Sequence, residues 1–90
     1  MKLDVTSITN ENATSLLERG LGAIRAGDAT VDLAGVKTVD SAAVALLLAW
    51  QRAAAGHGKR LAFVDVPEGI TSLAGLYGVD SLLGVEAAKS

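Results

Sequence analysis

The chain is predicted to form a single α/β domain over residues 1–90, a small mixed β-sheet with about three helices packed on it. Three observations lead there. Short β-type apolar runs alternate with segments of helical spacing, which calls for helices laid on a sheet with right-handed crossovers between parallel strands. One helical segment, Ala42 to Trp50, is apolar all round. The third is that half of the residues are hydrophobic while only Trp50, Phe63 and Tyr77 are aromatic, so the core is built from Leu, Val, Ile and Ala.

Leu3 and Val5 alternate with Asp4 and Thr6, the period of a strand with one buried face. Thr9-Asn10 then offers an N-cap, and Ala13, Leu16, Leu17, Leu21 and Ile24 follow at helical spacing with Gly20 on the same face, giving a first helix that ends near Gly27. Gly20 and Gly22 each cost about 1 kcal/mol relative to Ala inside a helix, so a close approach of this helix to the sheet is expected. Ala29 to Ala34 reads as a second strand, buried on both sides and central, because it lacks clean alternation. Gly35 marks a turn. Arg60 to Val66 is a third strand, with Leu61 and Phe63 on one face and Ala62, Val64 and Val66 on the other, ended by Pro67. Ile70, Leu73, Ala74 and Tyr77 define a last helix closed by Gly78. Val79 to Val85 returns as a turn and a short edge strand or helical segment, and Ala87 to Ser90 fray.

The stretch from Asp28 to Ala55 organises the chain. Its helix runs from Ser41 to Gly56 and carries two apolar stripes where one suffices for packing on a sheet. Val44, Leu47, Leu48 and Ala55 form the first; Ala43, Leu46, Trp50, Ala53 and Ala54 form the second. Two destinations stand for the second stripe: another helix of the same domain, or a protein partner with Trp50 as an anchor.

Composition narrows the function. Eight basic residues stand against ten acidic ones with no basic cluster, which argues against nucleic acid and anionic membrane surfaces as ligands. With no cysteine, disulfides and thiolate metal sites are excluded. The longest apolar run is about half the roughly 20 residues of a spanning helix, and no signal-type run precedes the first polar cluster. A soluble cytoplasmic protein without direct membrane insertion is expected.

Ser41 is the most informative polar residue. As a helix cap its hydroxyl would accept from free first-turn amides; as a phosphoacceptor or partner contact it would place a phosphate at the positive end of the helix dipole, beside Asp40. Hydrolase chemistry is not expected, because an activated serine needs a base within hydrogen-bond reach and the single histidine, His57, lies a full helix length away in a glycine loop. A lone histidine makes no metal site. Gly56-His57-Gly58-Lys59 follows a helix and lacks a Ser or Thr after the lysine, and Gly20-Leu21-Gly22 lies within a helix, so neither is a nucleotide loop. No cofactor is expected.

Val31-Asp32-Leu33-Ala34-Gly35-Val36, followed by Val39-Asp40-Ser41 and the apolar helix, resembles a STAS domain, the fold of anti-sigma factor antagonists and sulfate-transporter tails, from about Leu3 to Leu83. Asp40 and Ser41 match that family's D-S/T motif, whose Ser or Thr begins the partner-contact helix. In the antagonists a D-S-S/A-G motif is usual, and its serine is phosphorylated by a partner kinase; here Ala43 stands in place of the glycine. Ala45-Leu46-Leu47-Leu48-Ala49-Trp50, Arg52-Ala53-Ala54 and Leu73-Ala74-Gly75-Leu76-Tyr77-Gly78-Val79 are closer to the small STAS subunit of the Mla phospholipid-transport ABC complex.

That resemblance implies a non-enzymatic cytoplasmic subunit, held at the inner membrane by binding an ABC-transporter ATPase through Asp40, Ser41, Ala43, Leu46, Trp50, Ala53 and Ala54. The alternative it implies is an anti-sigma factor antagonist switched when an anti-sigma factor kinase phosphorylates Ser41. STAS domains usually open with a two-strand hairpin, and this chain has room for one strand, so an open sheet edge is expected, with pairing into a homodimer or a weaker fold as its consequence.

Overall fold

The computed structural model describes residues 1–78. In chain order these form β1 (Ser7–Ile8), α1 (Ala13–Arg25), β2 (Thr30–Asp32), β3 (Thr38–Val39), α2 (Ser41–Gly56), β4 (Ala62–Val64) and α3 (Glu68–Tyr77). This is the expected α/β arrangement of three helices on a small sheet. The segment expected to return over Val79 to Val85, and the tail after it, lie outside the described residues.

β1 pairs with β3 and β2 with β4, both in parallel, with Ile8 opposite Val39 and Val31 opposite Phe63. The chain start joins the same sheet. Lys2 bridges Asp32 in parallel, the Leu3 amide donates to the Asp32 carbonyl at 3.1 Å, and the Asp32 amide donates to the Met1 carbonyl at 2.8 Å. β2 and β3 thus form one central passage, with the N-terminal residues on one side and β4 on the other. A turn interrupts it: the Asp32 carboxylate accepts from the Ala34 amide at 2.9 Å, and the Val36 amide donates to the Leu33 carbonyl at 3.0 Å. Thr38–Val39, unread as a strand in the sequence, is the far half of this passage.

The central position of the second strand is confirmed; burial on both its faces is not. Val31 and Leu33 are fully buried, whereas Thr30 is exposed and Asp32 half-buried. The described helices supply core contacts to one face, so the alternating residues can remain polar. β4 obeys the same rule: Leu61 is buried and Phe63 half-buried, while Ala62 and Val64 are exposed.

α1 is capped at Asn12 and begins at Ala13, later than the Thr9-Asn10 cap suggested, because a tight turn intervenes in which the Asn12 and Ala13 amides both donate to the Thr9 carbonyl. Asn12 stands at the cap position but does not cap the helix with its side chain. Leu16, Gly20 and Ile24 are its buried residues, and Leu17 and Leu21 are half-buried. Beyond Arg25 the chain turns at Gly27, whose φ of 108° favours glycine, and the Asp28 amide closes on the Ala23 carbonyl at 3.0 Å.

The close approach expected at Gly20 is present, with a different partner. A Cβ on Gly20 would overlap the Trp50 indole of α2, so glycine permits helix-to-helix rather than helix-to-sheet contact. The indole fills the space a side chain would take and donates from Nε1 to the Leu17 carbonyl at 3.1 Å. α3 is shorter in its burial than its spacing suggested. Ile70 and Ala74 are buried, but Tyr77 is 54% exposed, since the helix leaves the core at its last turn before Gly78 closes it in a left-handed conformation.

Two outcomes follow. Trp50→Ala should cost about 3–5 kcal/mol through the cavity it leaves, and Gly20→Ala about 1–3 kcal/mol through overpacking, both read by denaturant unfolding; near-neutral values would contradict the packed contact. The Arg19 guanidinium hydrogen-bonds the exposed Asp4 carboxylate at 3.1 Å and its charge adds to the effect, holding Asp4 below the ordinary carboxylate value. A lowered folded-state value stabilises the fold at pH above the unfolded carboxylate's value and is lost as pH falls through the folded one. Arg19→Gln should return Asp4 toward the ordinary value in an NMR titration.

Candidate functional site

The candidate site is the first two turns of α2, where β3 delivers the chain to the surface. Asp40, not Ser41, caps the helix. Its backbone is extended, and its carboxylate accepts from the Ala42 amide at 2.8 Å. A carboxylate at this point satisfies a free amide and sits at the positive end of the dipole. Ser41 is therefore the first helical residue, and it is exposed, with no hydrogen bond made by its hydroxyl among the described residues. The expectation that Ser41 supplies the cap is corrected, and the hydroxyl is left available.

The residues assigned to partner contact divide sharply. Ala43, Leu46, Trp50 and Ala54 are buried, at 0%, 4%, 0% and 0% exposure. Of the two destinations open to the second apolar stripe, the structure takes the internal one: α1 covers it, with Gly20 and the Leu17 carbonyl receiving Trp50. These four side chains do not present themselves to a partner. Asp40 and Ala53 are half-buried and Ser41 exposed, so three of the seven assigned residues keep some surface.

What α2 does show outward is small. Ala45 is exposed, Ala42 and Ala49 are half-buried, and with Ala13, Thr14, Leu17 and Leu46 they line a shallow apolar groove between α1 and α2. Neither Ala45 nor Ala49 was singled out as a contact in the sequence, because neither falls on the two apolar stripes read there. On the other flank of α2, Leu48, Gln51, Arg52 and Ala55 line a second depression.

His57 is exposed at the opposite end of α2, where it follows the last helical residue. Sixteen helical residues separate the ends by roughly 24 Å, so no imidazole reaches Ser41. Among the described residues no group of His and acidic side chains could hold a metal ion.

Two side chains that the sequence reading passed over prove structurally specific. Gln51 accepts from the Leu61 amide at 2.7 Å and donates to the Leu61 carbonyl at 3.1 Å. Asn12 donates to the Ser7 carbonyl at 2.9 Å and accepts from the Thr9 amide at 3.0 Å. A signal for Gln51 exists in hindsight: it is the first non-aromatic polar residue after the apolar run Ala42 to Trp50.

The capping geometry separates the neighbours. Asp40→Ala should lower stability by about 1 kcal/mol, whereas Ser41→Ala, removing an unbonded exposed hydroxyl, should stay within about 0.5 kcal/mol of wild type. Thermal or denaturant unfolding of the two variants checks the order, and a larger loss at Ser41 would reverse the assignment.

A family model described as Mlab, STAS domain matches residues 3–84. No curated protein and no solved structure matches the chain. The model spans nearly the whole sequence, including the Asp40-Ser41 motif at the head of α2. On that match the chain belongs to the STAS domain family, in the group described as Mlab, STAS domain.

Proposed function

We propose that the chain is a non-catalytic STAS subunit that binds the ATPase of an Mla-type phospholipid-transport ABC complex and supports its assembly and activity. The observation that carries the reading is the match to the Mlab STAS model over residues 3–84. The geometry supplies a compatible surface: exposed Ser41 and Ala45, half-buried Asp40, Ala42, Ala49 and Ala53, and the groove between α1 and α2. Small side chains on this face let a partner's backbone or bulky apolar side chain come close. Among the described residues no helix is long and apolar enough to cross a membrane. In this reading the protein is cytoplasmic and its association with the inner membrane runs through the ATPase.

A second reading is favoured by one observation, the unbonded Ser41 hydroxyl. Because Asp40 holds the cap, phosphorylation of Ser41 leaves the helix start intact and adds up to about two negative charges to its surface. That suits an anti-sigma factor antagonist released from its kinase by modification.

The burial of Trp50 changes how the proposal is tested, since Trp50→Ala would report on folding rather than on contact. Tagged wild type, Ser41→Asp and Ala45→Arg should be used to retain partners from native lysate. Recovery of an ABC ATPase with its membrane subunits by wild type is expected, with Ala45→Arg weakening it by about 2 kcal/mol, near thirtyfold in Kd, if the residue lies at the centre of the contact. Recovery of a kinase-like anti-sigma factor instead, with phosphate added to Ser41 in the presence of ATP, would establish the second reading. Undiminished ATPase recovery by both variants would sink the assigned surface.

A further inference from the structure

We propose that Gly69 of α3 is a positioning residue for the Asp40-Ser41 corner: its missing side chain lets the first turn of α3 bear directly on Val39, the last residue of β3, and so sets where Ser41 stands. A Cβ at Gly69 would lie 2.8 Å from the Val39 Cγ2, well inside the roughly 3.5–4.0 Å at which carbon atoms pack. Helix propensity alone favours alanine here, since Gly69 is an exposed helical residue. Gly75 of the same helix is the contrast, because a Cβ there would meet nothing within 4 Å. Of these two glycines, only Gly69 is pressed on the strand that leads to the candidate site.

Neither side of the contact yields easily. On the helix side, the Ile70 and Thr71 amides donate to the Pro67 carbonyl at 3.0 and 3.3 Å, and the Thr71 hydroxyl donates to the Glu68 carbonyl at 3.0 Å. Ile70, next to Gly69, is fully buried, which anchors this turn in the core. On the strand side, Val39 packs against the core, pairs with Ile8, and is β-branched, so its side chain has few alternative rotamers. Crowding at Val39 is therefore passed along the chain to Asp40, whose carboxylate caps α2 through the Ala42 amide at 2.8 Å, and so to Ser41. The contact ties α3 to the exposed hydroxyl at the head of α2. Its effect on partner binding rests on the ATPase reading; its effect on the place of Ser41 does not.

The test is heteronuclear NMR of the purified chain, followed by affinity for the ABC ATPase recovered with wild type. Gly69→Ala is expected to move the amide resonances of Asp40, Ser41 and Ala42, while Gly75→Ala leaves them in place. In a Val39→Ala background, which makes room for the new methyl, the same Gly69→Ala change should leave them where that background has them. A glycine that serves packing alone would lower the unfolding midpoint without moving Ser41, so the spectrum separates position from stability. Should Gly69→Ala not fold, Gly69→Val in the Val39→Ala background rebuilds the crowding from the helix side and should move the same three amides relative to that background. Affinity for the ATPase should fall about tenfold with Gly69→Ala, the scale of coupling between residues in contact, and should not fall further when the change is made in the Val39→Ala background. If wild type recovers no ATPase, the ATPase reading fails and the amide result alone decides the position of Ser41. Unmoved amides in folded Gly69→Ala, equal movement in both backgrounds, the same movement caused by Gly75→Ala, or moved amides with undiminished ATPase affinity would each overturn the proposal.

Discussion

The Trp50 indole, seated on Gly20 of α1 and bonded to the Leu17 carbonyl, is the contact on which the remaining packing depends. It is the largest fully buried side chain among the described residues, and its indole occupies the space that a side chain at Gly20 of α1 would take. An indole buried without a partner for its N–H would carry a desolvation cost, and the Leu17 carbonyl removes that cost while remaining part of α1. The contact fixes the distance and rotation of α1 against α2. Once those are set, Ala43, Leu46 and Ala54 fall inside, and α2 presents Ser41, Ala45 and its other alanines to solvent.

The site is shaped by the same constraint. A helix that buries Ala43, Val44, Leu46, Leu47, Trp50 and Ala54 in the core has a narrow face left for recognition. That face begins at Ser41, where β3 ends, and follows the seam between α1 and α2. Asp40 makes the arrangement tolerant of chemistry at Ser41, since the cap does not use the serine hydroxyl. Among the described residues, two carboxamides from helix segments bond strand backbone directly: Asn12 bonds Ser7 and Thr9, and Gln51 bonds Leu61.

Much of the fold was legible. The limits of α2, Ser41 to Gly56, agree with the reading from the apolar run and the glycine loop, because capping and termination are local events. The strand cores around Val31 and Leu61 to Phe63 were visible in β-type runs, and Gly78 as a helix stop in its need for positive φ. The start of α1 was less legible, since Thr9, Asn10 and Asn12 are all acceptable caps and the choice is made by Asn12 bonding the strand behind it. β3 is two residues long and has no periodicity to detect. At the site, Asp40 and Ser41 were both visible as a pair, but two adjacent side chains able to cap cannot be ranked by type alone.

By itself the sequence determined the alternation of strand and helix, the aliphatic core, the position of α2 and the family motif at its head, because each depends on neighbours within a turn or a strand. Only the tertiary structure decided that Trp50 and its stripe point inward, that Asp40 rather than Ser41 caps α2, and that Asn12 and Gln51 bond the backbone of Ser7, Thr9 and Leu61. These are matters of which surfaces meet. Apolar periodicity says that a face must be buried, but the hydrophobic effect is indifferent to whether the cover is the same chain or another, and that choice rests on the space Gly20 leaves for the indole.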